Sequence, residues 1–415
     1  SPMSVSQYLK PGEFEFDLVI MDEASQIRPE DSLGSIARGD KLVVVGDTNQ
    51  LPPTNFFEKL CGEEEEDEDV ALGQTESILE SVKPIFANRS LRWHYRSRHE
   101  SLIAFSNKHF YGSNLVIFPS PHGENDDFGI KFNRVNGSFV RQTNSLEAAE
   151  IALKALEYML EKPNESVGIV SMNLKQKEQI EMELEKLIMN KPQFRIAYEK
   201  NQELEENLFI KNLENVQGDE RDVIMISMTY GPETVGGRTM QRFGPINSDL
   251  GWRRLNVLFT RAKKRMHIFS SMNSSDIEVS HSSKKGVKAL RAFLEYCETG
   301  HLHQNEHTGR APDSDFEISV MEALKEHGYD CEPQLGVAGY YLDLAVKDPS
   351  NPGRFLMGIE CDGATYHSAK STRDRDRLRQ EILENLGWEI KRIWSTDWFN
   401  NPNAPLQPIL NRLEK

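Results

Sequence analysis

Residues 340–362 constrain the fold most, because carboxylates interrupt two apolar runs there. The first run, YYLDLAV, contains Asp343, and the second, FLMGIECD, ends in Glu360 and Asp362. A segment rich in Pro, Gly and Asn separates the runs, which predicts two strands joined by a hairpin. A carboxylate in a core strand is unfavourable unless it is compensated, usually by a divalent cation. The pattern therefore predicts a metal site, with a solvated acidic face of the hairpin as the alternative.

The segments on either side of this hairpin predict further regular structure. Residues 314–330 have helical spacing of apolar side chains, with Glu317 beside the apolar face. After the hairpin, His367 precedes a charged amphipathic helix that ends near Gly387, and WEIKRIW then predicts a strand. The expected order is helix–strand–strand–helix–strand.

This order and the pattern E-x-D-G-x3-H followed by D-x2-R-x3-L-x3-G resemble the restriction-endonuclease-like core, specifically the family related to very-short-patch repair nucleases. The residues that carry the pattern are Glu360, Asp362, Gly363, His367, Asp376, Arg379, Leu383 and Gly387. The resemblance implies phosphodiester hydrolysis, on DNA, that depends on Mg²⁺ or Mn²⁺. The broader superfamily commonly has lysine where this chain has Asp362, which leaves Asp362 or His367 to steady the attacking water.

Roles for individual residues follow from this resemblance and from the chemistry of oxygen ligands. Asp343 and Glu360 are expected to bind the metal, and Glu317 adds a ligand through water. Asp362 and His367 are the other candidate catalytic residues. The nucleic-acid contacts are expected from Arg373 and Arg379, with Asp376 and Arg379 alternatively bracing the site.

A second set of motifs lies near the start of the chain. The runs FDLVIMDEASQ (16–26) and KLVVVGDTNQLPPT (41–54) predict neighbouring parallel strands, each followed by an acid. Ligands of such sheets bind at the carboxyl ends of strands. Asp22 would hold Mg²⁺ on a nucleotide, and Glu23 would orient the hydrolytic water. The alternative is that this acidic pair only caps a helix.

Five segments in order resemble motifs of superfamily 1 helicases, in the branch that includes RNA-decay and splicing-type enzymes. They are DEASQ, GDTNQLPPT, LRWHYRSR (91–98), NVQGDERDVIMIS (215–227) and LNVLFTRAKKRMHIF (255–269). The resemblance implies ATP as cofactor and Gln50 as a sensor of the γ-phosphate. It also implies that Arg96 and Arg261 neutralise the transferring phosphoryl group, although surface arginines are the alternative. The remaining residues assigned to the nucleotide site form a coupling loop of Gln217, Gly218 and Glu220.

No G-x4-G-K-[ST] phosphate-binding loop occurs in the sequence. In the helicases resembled, this loop lies upstream of DEAS, so the sequence is expected to be a fragment of a longer protein. The fold class expected is α/β: RecA-like helicase lobes, the first truncated and lacking the P-loop, followed by a restriction-endonuclease-like α/β nuclease domain. The expected ranges are 1–90 for the first lobe, 91–300 for the second, 301–314 for a linker and 315–415 for the nuclease domain.

The missing loop predicts that the 415-residue chain binds ATP weakly and hydrolyses none, because its lysine and Mg²⁺-binding hydroxyl are absent. Phosphate release from ATP with Mg²⁺ and DNA tests this directly. ATP turnover that Glu23→Gln abolishes would show the prediction to be wrong.

The net charge of −16 is unusual for a nucleic-acid enzyme, since phosphate contacts need basic groups. The block EEEEDED (63–69) contributes −7 and leaves −9 elsewhere. Such a block is typically a solvated, disordered loop; mimicry of phosphate in the basic groove is the alternative. Local basic clusters at 92–99, 261–265 and 373–379 would then make the contacts, unless they are exposed helix faces.

The remaining composition favours a cytoplasmic enzyme. The four cysteines have no zinc spacing, no run is long enough to span a membrane, and no signal peptide is visible. The function expected is a helicase/ATPase–nuclease that acts on nucleic acid, with DNA favoured by the nuclease family resembled. The alternatives are a catalytically inactive nucleic-acid-binding scaffold with a degenerate nuclease fold, and an ATPase whose C-terminal domain only docks partners.

Overall fold

A computed structural model describes residues 1–10, 12–53, 76–123, 127–302, 311–336, 338–351, 353–363 and 370–414, with side chains from 376 onward in the last range. The chain divides into two compact units. The first unit comprises residues 1–91 and 250–257, and the second comprises residues 92–249 and 258–415. The acidic block 63–69 and His367 lie outside the described residues.

The first unit contains the predicted pair of parallel strands. Its elements are α1 (Pro2–Tyr8), β1 (Val19–Met21), α2 (Pro29–Ile36), β2 (Leu42–Val44) and α3 (Ile78–Val82). The two strands pair from Val19↔Leu42 to Met21↔Val44. A small core forms where Met21 and Ala24 pack with Ile78. Because β1 ends at Met21, Asp22 and Glu23 follow its carboxyl end directly, as the sequence predicted.

Residues 250–257 belong to this first unit through two polar contacts. The Arg253 guanidinium lies 2.6 Å from a Glu76 carboxylate oxygen, and the Asn256 side-chain amide donates to the Asn49 carbonyl at 3.0 Å. The predicted range 91–300 placed this stretch in the second lobe. Long-range pairing of this kind has no local signature in the sequence.

The second unit contains a five-stranded parallel sheet. The elements of this part of the unit are β3 (Trp93–His94), α4 (Ser101–Phe110), β4 (Val116–Ile117), β5 (Gly129–Arg134), α5 (Ser145–Glu161), β6 (Val167–Ser171), α6 (Leu174–Asn190), α7 (Pro192–Gln202), β7 (Phe209–Asn212), β8 (Arg221–Ser227), α8 (Gly251–Phe259, which crosses between units), β9 (Ala262–Ser270) and α9 (Lys285–Thr299). The strand order in the sheet is β5-β9-β8-β6-β7. The short strands β3 and β4 form a separate two-residue parallel pair. Every residue of the interior strand β6 is buried, as expected of a parallel sheet with helices on its faces.

A buried carboxylate at the first turn of α5 lies next to the ends of two strands of this sheet. Glu147 is fully buried and accepts hydrogen bonds from two backbone amides, those of Thr229 at 2.8 Å and Ser271 at 2.7 Å. The Ser227 hydroxyl at 2.8 Å and the Asn144 side-chain amide at 3.1 Å donate to it as well. Burial raises the pKa of Glu147 to about 7, against the effect of these hydrogen bonds. The carboxylate ties the helix to the ends of two neighbouring strands.

A four-stranded mixed sheet follows in the same unit. Its order is β10-β11-β12-β13, with two antiparallel pairs and then a parallel one. Its elements are α10 (Asp315–Glu326), β10 (Cys331–Leu335), β11 (Leu342–Lys347), β12 (Phe355–Asp362), α11 (Lys370–Leu386), β13 (Ile390–Trp394), α12 (Ser395–Asn400) and α13 (Asn403–Leu413). The predicted helix–strand–strand–helix–strand order is present within it. The prediction missed β10 and the two last helices, because CEPQL is polar and contains Pro333, and α13 contains Pro408.

The chain after β4 packs against one face of this mixed sheet. Phe118 shares a core with Leu383 and Trp388, and the indole N–H of Trp388 donates to the Pro119 carbonyl at 2.9 Å. The backbone amide of Phe355 donates to Pro121. Residues 92–123 therefore contribute to the core of the sheet that carries the predicted metal ligands, although the predicted ranges assigned them to another domain.

No helix in the described ranges is both long and apolar enough to span a membrane. Among the described cysteines, Cys297, Cys331 and Cys361, the structure shows no disulfide.

Candidate active site

The hairpin β11–β12 brings Asp343 and Glu360 together. Leu344 pairs with Ile359 in antiparallel register, so Asp343 and Glu360 occupy the adjacent cross-strand position with side chains on the same face. Asp343 is held in place because its Oδ2 accepts a hydrogen bond from the Cys361 backbone amide at 2.7 Å. The sequence prediction of these two carboxylates at one site agrees with this register.

Both carboxylates are poorly solvated, and their charges oppose each other. Burial raises the pKa of Asp343 to about 7, with the Glu360 charge as the next contribution. Burial also raises the pKa of Glu360, while a hydrogen bond from Tyr340 and the charge of Arg392 act in the opposite direction. Two neighbouring half-buried carboxylates disfavour each other's ionisation, and a bound dication would relieve this repulsion.

Tyr340 orients Glu360, a role that the sequence analysis did not assign. Its hydroxyl donates to Glu360 Oε1, and its ring is buried. The Arg379 guanidinium carbon lies 5.7 Å from the Tyr340 ring centroid and 6.0 Å from that of Trp93. The doubled tyrosine before LDLAV was the only local signal for this contact.

Asp362 lies beside a guanidinium from the neighbouring strand. Arg392 Nη1 is 3.2 Å from Asp362 Oδ2, and Arg392 pairs with Glu360 in the parallel register of β12 and β13. These side chains border a cavity of about 40 Å³. The residues lining it are Tyr340, Glu360, Asp362, Asp376, Arg379, Gln380, Leu383, Ile390 and Arg392. This volume accommodates a few water molecules.

Glu317 lies on α10, and protein groups hydrogen-bond to both of its oxygens. Its Oε2 accepts from the Gln334 side-chain amide at 2.9 Å and from the Asp313 backbone amide at 3.0 Å. The Ser314 hydroxyl donates to Oε1 at 3.0 Å. Its charge contributes to the raised pKa of Asp343, so Glu317 lies within electrostatic range of the pair. The role predicted for it, a ligand through water, remains a proposal.

Of the remaining predicted nuclease residues, the structure describes the side chains of some and not of others. Arg379 and Asp376 line the cavity with Nη1 and Oδ1 3.7 Å apart, which suits the bracing role. The side chain of Arg373, like the whole of His367, is outside the described part. In the described ranges, no group of three or more His, Cys, Asp or Glu side chains is arranged to hold a metal. The fit to a cation rests instead on the Asp343–Glu360 pair, with water in the other positions.

The motif residues of the first unit follow its two strands. Glu23 has a left-handed backbone, φ 50°, and its amide donates to Asp22 Oδ1 at 2.9 Å. The Gln50 side-chain amide donates to Asp47 Oδ2 at 3.3 Å. A left-handed conformation at a non-glycine residue is strained, and such residues concentrate at functional sites. The catalytic role predicted for Glu23 remains a proposal.

Glu220, in the second unit, lies beside two basic residues of the helicase-like motifs. Its carboxylate lies 2.7 Å from Arg96 Nε and 3.3 Å from Lys263 Nζ. Arg261 is buried, 4% exposed, and its Nη2 donates to the Thr260 hydroxyl at 2.9 Å, so it is not a surface arginine. Gly218 has φ +87°, a conformation that favours glycine, and Gln217 precedes it in the same turn.

Comparison with known proteins assigns these parts to families. Residues 3–58 match the AAA_11 model and residues 75–273 the AAA_12 model, each described as an AAA domain, and residues 316–413 match REase_MTES_1575. The chain joins AAA-type helicase domains to a nuclease-like REase domain. Both resemblances seen in the sequence are therefore confirmed, as is the mixed α/β fold class.

Relatives of the AAA and REase domains carry helicase names. The chain is 30% identical over 423 residues to the uncharacterized ATP-dependent helicase MG140 homolog of Mycoplasma pneumoniae. It is 29% identical over 422 residues to the corresponding Mycoplasma genitalium protein, and each match covers 96% of this chain. The chain spans 37% of the length of both relatives.

A third relative combines two activities in its name. The DNA replication ATP-dependent helicase/nuclease dna2 of Schizosaccharomyces pombe is 28% identical over 308 residues, which cover 65% of this chain and 20% of that protein.

Proposed function

We propose that the chain is part of a helicase/ATPase–nuclease that processes DNA, and that residues 315–415 hydrolyse phosphodiester bonds with Mg²⁺ or Mn²⁺. The observation that carries the nuclease proposal is the half-buried Asp343–Glu360 pair, with Glu360 lining a polar cavity. DNA is favoured by the very-short-patch repair resemblance and by a relative named as a DNA replication helicase/nuclease.

Asp343 and Glu360 would hold the metal, which would supply Lewis-acid activation of water and positive charge near the scissile phosphate. Tyr340 keeps Glu360 oriented through its hydroxyl. Cys361 does the same for Asp343 through its backbone amide. His367 is proposed to take the water's proton or to protonate the leaving oxygen.

The motor belongs to the same proposal. Asp22 would bind the Mg²⁺ of ATP, Glu23 would orient water, and Gln50 would sense the γ-phosphate. Arg96 and Arg261 would neutralise the phosphoryl group. The loop of Gln217, Gly218 and Glu220 would couple nucleotide to DNA, and the ion pair between Glu220 and Arg96 supports this role. ATP would drive translocation or remodelling.

A catalytically inactive, nucleic-acid-binding scaffold is the second candidate. It is favoured by Asp362, an acid at the position where the superfamily commonly has lysine. The two candidates make opposite predictions about cleavage.

The decisive experiment is cleavage of labelled single- and double-stranded DNA by the 415-residue chain, with Mg²⁺, Mn²⁺ or EDTA. An RNA strand of the same sequence serves as the substrate control. The nuclease proposal predicts metal-dependent products from DNA that EDTA abolishes. DNA that is bound but left intact with both metals would contradict it and support the scaffold.

A further inference from the structure

The charges around the cavity are unbalanced for a phosphodiester substrate. Three carboxylates line it, from Glu360, Asp362 and Asp376, and Asp343 lies beside Glu360. A phosphodiester is already an anion, and hydrolysis adds negative charge to the phosphoryl oxygens in the transition state. Even with a bound dication, the substrate needs positive groups from the protein. Among the residues with described side chains, Arg379 and Arg392 line the cavity.

The two arginines are held in different ways. Arg379 lies near the aromatic rings of Tyr340 and Trp93 and has one nitrogen 3.7 Å from Asp376. Arg392 instead extends from β13 beside Glu360, with 28% of its side chain exposed and one nitrogen directed to Asp362. A guanidinium has five N–H donors in a planar fork, so a single contact to Asp362 leaves donors that can bind another oxyanion.

We propose that Arg392 is a catalytic residue of this site, which binds a non-bridging oxygen of the scissile phosphate and stabilises the charge that develops there. This inference rests on the proposed nuclease function. Asp362 then acts as a positioning residue that orients the guanidinium, rather than as a substitute for lysine. Arg392 stands on the adjacent strand and supplies the positive charge that position 362 does not.

The reaction leaves Arg392 protonated throughout. The water oxygen forms a new bond to phosphorus as the ester P–O bond breaks. One water proton leaves to a base, and the departing oxygen takes up a proton. Guanidinium suits the electrostatic part because it cannot be deprotonated in proteins and can donate two parallel hydrogen bonds to phosphate.

Arg392→Gln is expected to lower kcat for DNA cleavage about 100-fold with a small change in KM, the usual effect of losing one donor to a developing oxyanion. Arg392→Lys keeps the charge without the fork, so we expect a loss of roughly 10-fold. Lys391→Gln is the matched control. It removes a neighbouring positive charge that strand alternation places on the opposite face of β13, and it should cleave like wild type.

A purely structural ion pair with Asp362 makes a different prediction. Breaking the pair from either side should then have the same effect, so Arg392→Gln and Asp362→Asn would lose equal activity and equal thermal stability. Under the proposal, Arg392→Gln loses at least 10-fold more activity than Asp362→Asn, since the amide variant leaves the guanidinium in the cavity. Equal losses, or wild-type cleavage by Arg392→Gln, would overturn the assignment.

A second measurement does not depend on cleavage. DNA affinity in EDTA, measured against salt concentration, should have a slope smaller by about 1 for Arg392→Gln than for Lys391→Gln, because one phosphate contact is lost. If the wild type does not cut DNA, the proposed function fails and this slope alone decides whether Arg392 contacts phosphate. An unchanged slope in that case would refute the inference as well.

Discussion

Asp343→Asn is expected to lower the rate of DNA cleavage about 1000-fold, because a metal-bound site contributes several kcal/mol to the transition state and depends on its carboxylates. The amide oxygen of the variant can still accept the hydrogen bond from the Cys361 amide, so the strand geometry should persist. Single-turnover cleavage with Mg²⁺ at pH 8 measures the effect.

The same substitution is expected to stabilise the metal-free fold at pH 8. Burial and Glu360 raise the folded-state pKa of Asp343 to about 7, from 3.8. A carboxyl with a raised pKa contributes its full stability below the unfolded pKa, and this contribution is lost as pH rises through the folded pKa. The wild type should therefore lose on the order of 3 kcal/mol between pH 4 and pH 7 in EDTA. The asparagine variant should lack that loss.

Glu322→Gln provides the control, since it makes the same acid-to-amide change at an exposed position of α10. It should change neither the cleavage rate nor the pH dependence of unfolding. If the asparagine variant cuts DNA at the wild-type rate, Asp343 is not a catalytic residue, even if the stability of the variant rises as expected.

Glu147→Ala is expected to destabilise the second unit by roughly 3–5 kcal/mol, the range for breaking a buried charged network. Deletion of the carboxylate leaves the buried amides of Thr229 and Ser271 without this acceptor. Each unsatisfied buried donor is unfavourable by about 1–3 kcal/mol. Urea unfolding followed by circular dichroism measures the change.

Glu150→Ala is the matched control on the same helix, because Glu150 is exposed. Its free energy of unfolding should remain within about 0.5 kcal/mol of wild type. If both alanine variants unfold at the same urea concentration, the Glu147 network does not stabilise the fold as its hydrogen bonds indicate.

Short-range patterns were sufficient to predict several of the strands and the proximity of Asp343 and Glu360. The apolar runs on either side of the hairpin predicted β11 and β12, and a short connection between antiparallel strands leaves few registers open. Asp343 and Glu360 could therefore be assigned to one site from the sequence. The parallel pair β1 and β2 was predicted for a similar reason, since each is a short apolar run followed by an acid.

The other side chains around Asp343 and Glu360 could not be predicted, because contacts between distant parts of the chain bring them there. Arg392 reaches Asp362 only because β13 pairs in parallel with β12. The indole of Trp388 meets the carbonyl of Pro119 across 269 residues. Nothing local distinguishes Arg392 from Lys391, two neighbouring basic residues whose side chains face opposite sides of one strand.

Glu147 shows the same division between local pattern and packing. The helix that contains it was predicted from its amphipathic spacing and observed at Ser145–Glu161, but a glutamate in a first helical turn ordinarily indicates an exposed, dipole-stabilising acid. Its burial arises because the amides of Thr229 and Ser271, from the ends of two strands, converge on it. Periodicity encodes which residues form helices and strands, since the direction of successive side chains follows from the local backbone conformation. Which charged groups meet depends on how the sheets pair and pack, and only the tertiary structure contains that information.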